Sequence, residues 1–360
     1  MGLPQLIILF EAKARQVMTR SEQGVVLALL KSKAEYEDDK KEFVYYSMAD
    51  VRKDAEKIWE EKSIEFLKMI FDGKPQKVYA IDTREVEDLT TIFKKYNNKI
   101  YQYATAPYAT TEQVQKIGEY LIAENDKNHK THKFVAGAYK GDNCRIINLT
   151  TEEITSNGKK YTNNEYSTRI AGLLAGLGIE NSSTYYVLKD VENIKELEDD
   201  AARDKAIEGG ELIIINDGEK FKIARGVNSL TTLKKGENEK FKKIRFIEVI
   251  DMIKEDLTKT IKDNYVGKVK NSYQNQLLLL GAVNRYLSLL EKSEVLDQNA
   301  NNKMEIDVMA KREYLMLNGV EAEKMSVEEI EKYNTGSKVF LCGSLTPLDA
   351  MEDFYINFTV

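Results

Sequence analysis

The last seven residues, Phe354, Tyr355, Ile356, Asn357, Phe358, Thr359 and Val360, alternate so that Phe354, Ile356, Phe358 and Val360 share one face. Alternation of aromatic and β-branched residues at a period of two reads as a strand. A chain end is loosely held unless something ties it down, so a strand here needs a ladder partner. Near the start, after Pro4, the run Leu6, Ile7, Ile8, Leu9, Phe10 is also apolar and strand-like, then turns basic at Lys13, Arg15 and Arg20. Residues 1–20 carry three positive side chains and one negative, whereas 345–360 carry Asp349, Glu352 and Asp353 and no positive one. Two oppositely charged strands with open edges suit a chain woven into copies of itself. Terminal strands also complete sheets within their own domain, and the sequence leaves both arrangements open.

With 360 residues the chain is long enough for two or three domains and for a substantial core. Its 42% hydrophobic and 31% charged residues read as soluble and globular rather than disordered. The net charge of −6 comes from 53 basic and 59 acidic side chains, a mixed surface that argues against nucleic acid as a partner. Cys144 and Cys342 are isolated from each other, forming neither a metal knuckle nor a disulfide framework, and read as buried thiols of a reducing cytoplasm. The apolar run at residues 6–10 lacks the flanks of a signal peptide, and no stretch approaches the roughly 20 apolar residues of a membrane span.

Along the chain, Gly24 to Leu30 and Glu42 to Ser47 read as strands, followed by a helix over about 49–71 that Gly73-Lys74-Pro75 stops. From Lys77 strands alternate with helices: strands at 78–81, 100–104 and 134–138, helices at 85–95, 111–124 and 164–177. That rhythm predicts an α/β domain with a parallel or mixed sheet. Gly172 and Gly176, four apart in an apolar helix, mark close packing on the sheet. Leu212 to Ile215, then Asp217-Gly218 and the alternating Phe221 and Ile223, make the clearest hairpin signal. Two apolar stripes follow, at Phe246, Ile250, Ile253, Leu257, Ile261 and at Tyr273, Leu277, Leu280, Val283, Leu287, Leu290. With strands expected at 304–308, 313–317 and 338–342, they predict a second, α+β domain.

Catalytic signatures are missing. Neither GxxxxGK[ST] nor GxGxxG occurs, which removes the two commonest nucleotide motifs and leaves no cofactor to expect. His129 and His132 lie three apart in a polar run with no third ligand nearby, too little for a metal site or a nucleophile–histidine pair. Acidic triplets such as Glu198-Asp199-Asp200 read as solvated helix ends, and Lys234-Lys235 and Lys242-Lys243 lack the interleaved aromatics of a nucleic-acid face. The alternation in 77–215 leaves a doubly wound enzyme as a rival, although fold alone cannot carry that claim.

Several segments resemble the contractile tail sheath proteins of bacteriophages and phage-tail-like particles, especially the short forms of Gram-positive prophages. They are Gly2-Leu3-Pro4, Arg169 to Gly176, Thr184-Tyr185-Tyr186, Ala224 to Thr232, Asp251-Met252-Ile253 with Asp256, Tyr265 to Val269 with Asn271-Ser272, and Asp349 to Asp353. Their order and spacing carry the likeness. It implies a non-enzymatic subunit of helically stacked hexameric rings around an inner tube, partnered by itself, tube, baseplate and tail-terminator proteins. Such a subunit belongs to a virion or phage-tail-like particle, is assembled in the host cytoplasm, and inserts into no membrane. A tube or baseplate component is the neighbouring alternative.

The resemblance further implies an N-terminal exchange arm (1–20), an opening module (21–75), an α/β domain (76–225), a C-terminal α+β domain facing the tube (226–344) and a C-terminal exchange arm (345–360). Leu6, Ile8 and Phe10 on one arm, and Phe354, Ile356, Phe358 and Val360 on the other, are then expected in neighbours' sheets. Arg15, Arg20, Gly343 and Pro347 are the expected arm hinges, and Glu328, Glu329 and Glu331 an expected contact with the tube.

Overall fold

The computed structural model describes residues 18, 21–36, 40–179 and 181–359, leaving out the side chains of Asp54 and Glu56. These residues divide into two compact units, a larger one of 22–251 with 349–359 and a smaller one of 252–348 with residues 18 and 21. The architecture is mixed α/β, as the alternation predicts.

The strands of the larger unit are β1 (Val25–Leu30), β2 (Glu42–Tyr45), β3 (Lys77–Asp82), β4 (Tyr103–Thr105), β5 (Lys133–Gly137), β6 (Ile146–Leu149), β7 (Glu152–Ser156), β8 (Lys159–Tyr161), β9 (Val191–Lys195), β10 (Glu211–Leu212), β11 (Ile214–Asn216) and β12 (Phe221–Ile223). Seven of them form one sheet in the order β10-β6-β5-β4-β1-β3-β2, parallel throughout except for β2 at the edge. Its helices are α1 (Met48–Ile58), α2 (Glu61–Asp72), α3 (Thr90–Tyr96), α4 (Thr111–Asn128), α5 (Asn163–Leu177) and α6 (Asp200–Glu208). β1 is Val-Val-Leu-Ala-Leu-Leu because both its faces are covered. Val26, Ala28 and Leu30 pack in a core with Phe66 and Ile70 of α2 and Tyr166 and Ile170 of α5. Val25, Leu27 and Leu29 pack on the other side with Phe93 of α3 and Ile117 and Leu121 of α4.

Three local readings change for identifiable reasons. The helix expected over 49–71 is two helices, because Trp59 is extended between them, bridges Ser32, and donates from Nε1 to the Tyr45 hydroxyl at 2.9 Å. The helix expected at 85–95 starts only at Thr90, where Asp88 accepts from the Thr90 backbone N–H (3.0 Å) and hydroxyl (2.7 Å). The strand expected over 212–215 splits: Leu212 pairs with β6, while Ile214 starts the β11–β12 hairpin and donates its N–H to Thr151 Oγ1 at 2.8 Å.

Gly172 and Gly176 serve close packing chiefly against a helix end rather than the sheet. A Cβ on Gly172 would lie 2.6 Å from the Ile70 Cα, and one on Gly176 would strike the Gly73 carbonyl that closes α2. Thr162 begins α5 with a reciprocal cap: its hydroxyl accepts from the Glu165 N–H at 3.2 Å and the Glu165 carboxylate accepts from the Thr162 N–H at 2.9 Å.

α7 (Ile244–Asn264) is continuous, with 244–251 in the larger unit and the rest in the smaller. Of its expected stripe only Ile253 is buried, and Phe246, Ile250, Leu257 and Ile261 are half-buried. Asp251, Asp256 and Thr260 are buried on this helix instead. The smaller unit continues with α8 (Tyr273–Lys292), β13 (Lys303–Ile306), α9 (Val308–Leu317), α10 (Val327–Lys332) and β14 (Leu341–Ser344). The segment expected as a strand at 313–317 is the end of α9, capped by Asp307, whose carboxylate accepts from the Ala310 N–H at 2.8 Å. Of the two thiols, Cys342 is exposed and Cys144 half-buried, so the expected burial of both is corrected. No helix among the described residues is long and apolar enough to cross a membrane.

Candidate assembly surfaces at the two chain ends

Leu6, Ile8, Phe10, Arg15 and Arg20 lie outside the described residues, as does Val360. Where the description resumes, Ser21 is buried and donates its backbone N–H to Asp256 Oδ1 at 2.5 Å; the other oxygen of Asp256 accepts from the Tyr286 hydroxyl at 2.7 Å. Both contacts lie within the smaller unit.

At the other end, β14 pairs antiparallel with β13, Leu341 opposite Ile306 and Ser344 opposite Lys303. Gly343, an expected hinge, lies inside this ladder, where a Cβ would stand 2.5 Å from the Lys303 carbonyl oxygen; glycine there permits close strand approach. Pro347, the other, bridges Leu296. Its neighbours are held as well, because Asp297 N–H donates to the Thr346 carbonyl (2.8 Å) and Leu348 N–H to the Val295 carbonyl (3.0 Å). β13 and β14 have no further ladder partner among the described residues, and Cys342, Gly343 and Ser344 are exposed.

Residues 349–353 lie in the larger unit and make ionic contacts there. Asp349 pairs with Lys243 at 2.5 Å, Glu352 with the same lysine at 3.1 Å, and Asp353 with Arg225 at 2.5 Å. From Phe354 to Thr359 no hydrogen bond or ion pair is made with the described residues. Phe354, Ile356 and Phe358 are 69%, 67% and 87% exposed, and no strand is assigned over 354–359. The expected terminal strand therefore has no ladder partner among the described residues, and Phe354, Ile356 and Phe358 are exposed.

The three glutamates expected at the tube have local partners. Ser326 and Glu329 form a capping box at the start of α10, Glu328 pairs with Lys332, and Glu331 has the Tyr273 hydroxyl at 3.5 Å. His132 is buried, stacked on Tyr101 with ring centroids 3.8 Å apart, and desolvation pushes its pKa down to about 4. It is a neutral core residue. No cluster of metal-ligating side chains occurs among the described residues.

A buried charge network fastens the start of α7 to the large sheet. Asp251 accepts from Lys133 Nζ at 2.7 Å and from Arg145 Nη1 at 2.5 Å, and Glu248 accepts from the Tyr103 hydroxyl. Burial works against the Asp251 anion, but the two cations beside it more than compensate and hold its pKa below the usual range. Glu248 goes the other way: desolvation pushes it up to about 7, against the pull of Lys133 and the Tyr103 hydrogen bond. Such a network orients a helix.

Comparison with known proteins decides the family. Models of the phage tail sheath central domain and C-terminal domain match residues 82–229 and 236–360. A tail sheath protein of Clostridium phage phiCD119 is 32% identical over 370 aligned residues, covering 99% of both chains. The chain belongs to the phage tail sheath family. It is a structural subunit of a contractile tail sheath, and its relatives are components of phage tails and phage-like particles. A phage-like element PBSX protein of Bacillus subtilis is 24% identical across 49% of this chain and 38% of its own. The fold is shared with the sheath tail protein of Listeria innocua (TM-score 0.73, 13% identity, 94% and 95% coverage). It is shared too with the contracted helical sheath of the anti-feeding prophage (TM-score 0.70, 13% identity, 100% and 99% coverage).

Three of the segments that carried the sequence resemblance, around Thr184, around Arg225 and from Asp349 to Asp353, meet in space around Glu352 and Asp353. Reading the sequence linked none of them, because an ion pair more than a hundred residues apart leaves no local pattern.

Proposed function

We propose that this subunit polymerises as stacked hexameric rings around an inner tube, holds its neighbours by strand exchange through both arms, and shortens to drive the tube through a bacterial envelope. The exposed apolar face of Phe354, Ile356 and Phe358, without a ladder partner among the described residues, carries this reading. In a neighbour's sheet each of these side chains stabilises the contact by about 2 kcal/mol, while main-chain hydrogen bonds keep subunits linked as they slide and rotate. The β13–β14 ribbon is the natural recipient, since two strands alone are marginal and both outer edges offer donors and acceptors. The N-terminal arm, through Leu6, Ile8 and Phe10, is proposed to pair in the same manner. The hinges then fall at Arg15 and Arg20 on one side and between Gly343 and Pro347 on the other, released only when the sheath moves.

Energy for contraction resides in contacts between subunits, so the chain is proposed to be non-enzymatic and to need no cofactor. Its partners are copies of itself, the tube, and the baseplate and tail-terminator proteins, assembled in the host cytoplasm. Among the three glutamates Glu331, not engaged in a cap or ion pair, is the member best placed to meet a basic tube surface. Deleting residues 354–360 tests the central claim: a folded monomer that forms no cylinders by negative-stain microscopy is expected, and cylinders of normal length would refute it.

A further inference from the structure

The C-terminal arm changes character between Asp353 and Phe354. Before that bond lies a built receptor, and after it Phe354, Ile356 and Phe358 are solvated. The Glu352 carboxylate is only 6% exposed. One oxygen accepts from Ser182 Oγ at 3.0 Å and Thr184 Oγ1 at 2.7 Å, the other from Lys243 Nζ at 3.1 Å, with Arg225 Nε at 3.7 Å. The donors are held in turn, since Ser182 Oγ accepts from the Thr184 N–H at 3.1 Å and Thr184 Oγ1 from the Gly226 N–H at 2.9 Å. Burial lowers the pKa of Lys243, and Asp349 and Glu352 more than reverse the effect, keeping the ammonium charged. Taking a carboxylate out of water is costly unless its oxygens are satisfied, and here two hydroxyls and two cations satisfy them. A tail that merely trailed into solvent would need none of this.

We propose that Glu352 is the root anchor of the exchange arm, holding residues 349–353 on their own subunit within the assembled sheath so that the reach to a neighbour begins at Phe354. The proposal rests on the strand-exchange reading and adds two properties to it. Pull on the tip passes through Glu352 into the loops that carry Thr184 and Arg225 rather than back along 345–348. The reach is also bounded: five extended residues span about 17 Å, so the pocket that takes Phe358 lies within that distance of Asp353.

Glu352→Ala in the full chain should keep the parent's circular dichroism and melting temperature yet raise the concentration needed for cylinders at least tenfold, with Glu352→Gln in between. Parent-like assembly by Glu352→Ala overturns the anchor. Deletion of 354–360 separates the two ideas. If that deletion assembles normally, strand exchange itself fails; if it does not assemble while Glu352→Ala does, only the anchor fails. Should Glu352→Ala not fold, Thr184→Cys with Glu352→Cys, in a chain whose native cysteines are replaced by serine, decides the matter. A linked chain that assembles and runs as a monomer on a non-reducing gel is expected. A link that does not form, that joins different chains, or that blocks assembly overturns the proposal.

Discussion

The seven-stranded sheet and the β13–β14 ribbon are both sheets, and they are finished to different degrees. β1 has helices over both faces and none of its side chains exposed beyond 1%, whereas β13–β14 has two strands, no further ladder partner among the described residues and exposed residues along β14. The first can be stable in an isolated subunit. The second, with the exposed tip at 354–358, is the part proposed above to be completed by other copies. Stability and assembly should therefore be separable by mutation.

The largest separation is expected from Phe354→Asp, Ile356→Asp and Phe358→Asp together. Cylinder formation, followed by sedimentation and negative stain, should fall at least a hundredfold, since each lost contact of about 2 kcal/mol exceeds the 1.4 kcal/mol of a tenfold change. The melting temperature of the monomer should stay within about 1 °C of the parent, because exposed side chains contribute little to its folding. A matching fall in melting temperature would erase the distinction between the two sheets.

Gly172→Leu attacks from the other side. Its side chain must part α5 from α2, and urea unfolding should report a loss of about 3 kcal/mol. Glu248→Gln sharpens the picture of the large sheet through pH. The folded pKa is raised, from an ordinary 4.5 to about 7, so the folded state holds this proton more tightly than the unfolded chain. The group therefore costs stability progressively as pH rises from about 4.5 to about 7, and the cost is constant above. Unfolding free energies of parent and variant from urea titrations should diverge by roughly 3 kcal/mol across that range, the variant lacking the downward slope. A parallel pair of curves would show that Glu248 is not protonated in the fold. The smallest effect is expected for Glu329→Ala, about 1 kcal/mol in the stability of the smaller unit with unchanged assembly, as befits a cap. A loss of sheath–tube co-assembly in that variant would instead return Glu329 to the tube surface.

Much of the fold was legible where one local rule sufficed. The buried strand shows in Val25 to Leu30 and the hairpin in Asp217-Gly218. Reading failed where a distant partner overrode the local pattern. Trp59 breaks a helix that its neighbours favour because Tyr45 and Ser32 hold it, and 313–317 is helical because Asp307 caps a turn that β-branched counting cannot see. The acidic residues of 349–353 were visible as charge, but nothing local paired Glu352 with Ser182, Thr184, Arg225 and Lys243.

By itself the sequence determined the period of most elements and the apolar faces of both chain ends, because alternation and capping act between residues a few positions apart. Through its resemblance to known sheaths it also pointed to the family. Only the tertiary structure decided that Asp349, Glu352 and Asp353 are held by Lys243 and Arg225 while Phe354, Ile356 and Phe358 stay exposed, since a buried carboxylate is tolerated just where folding gathers its donors from separate parts of the chain.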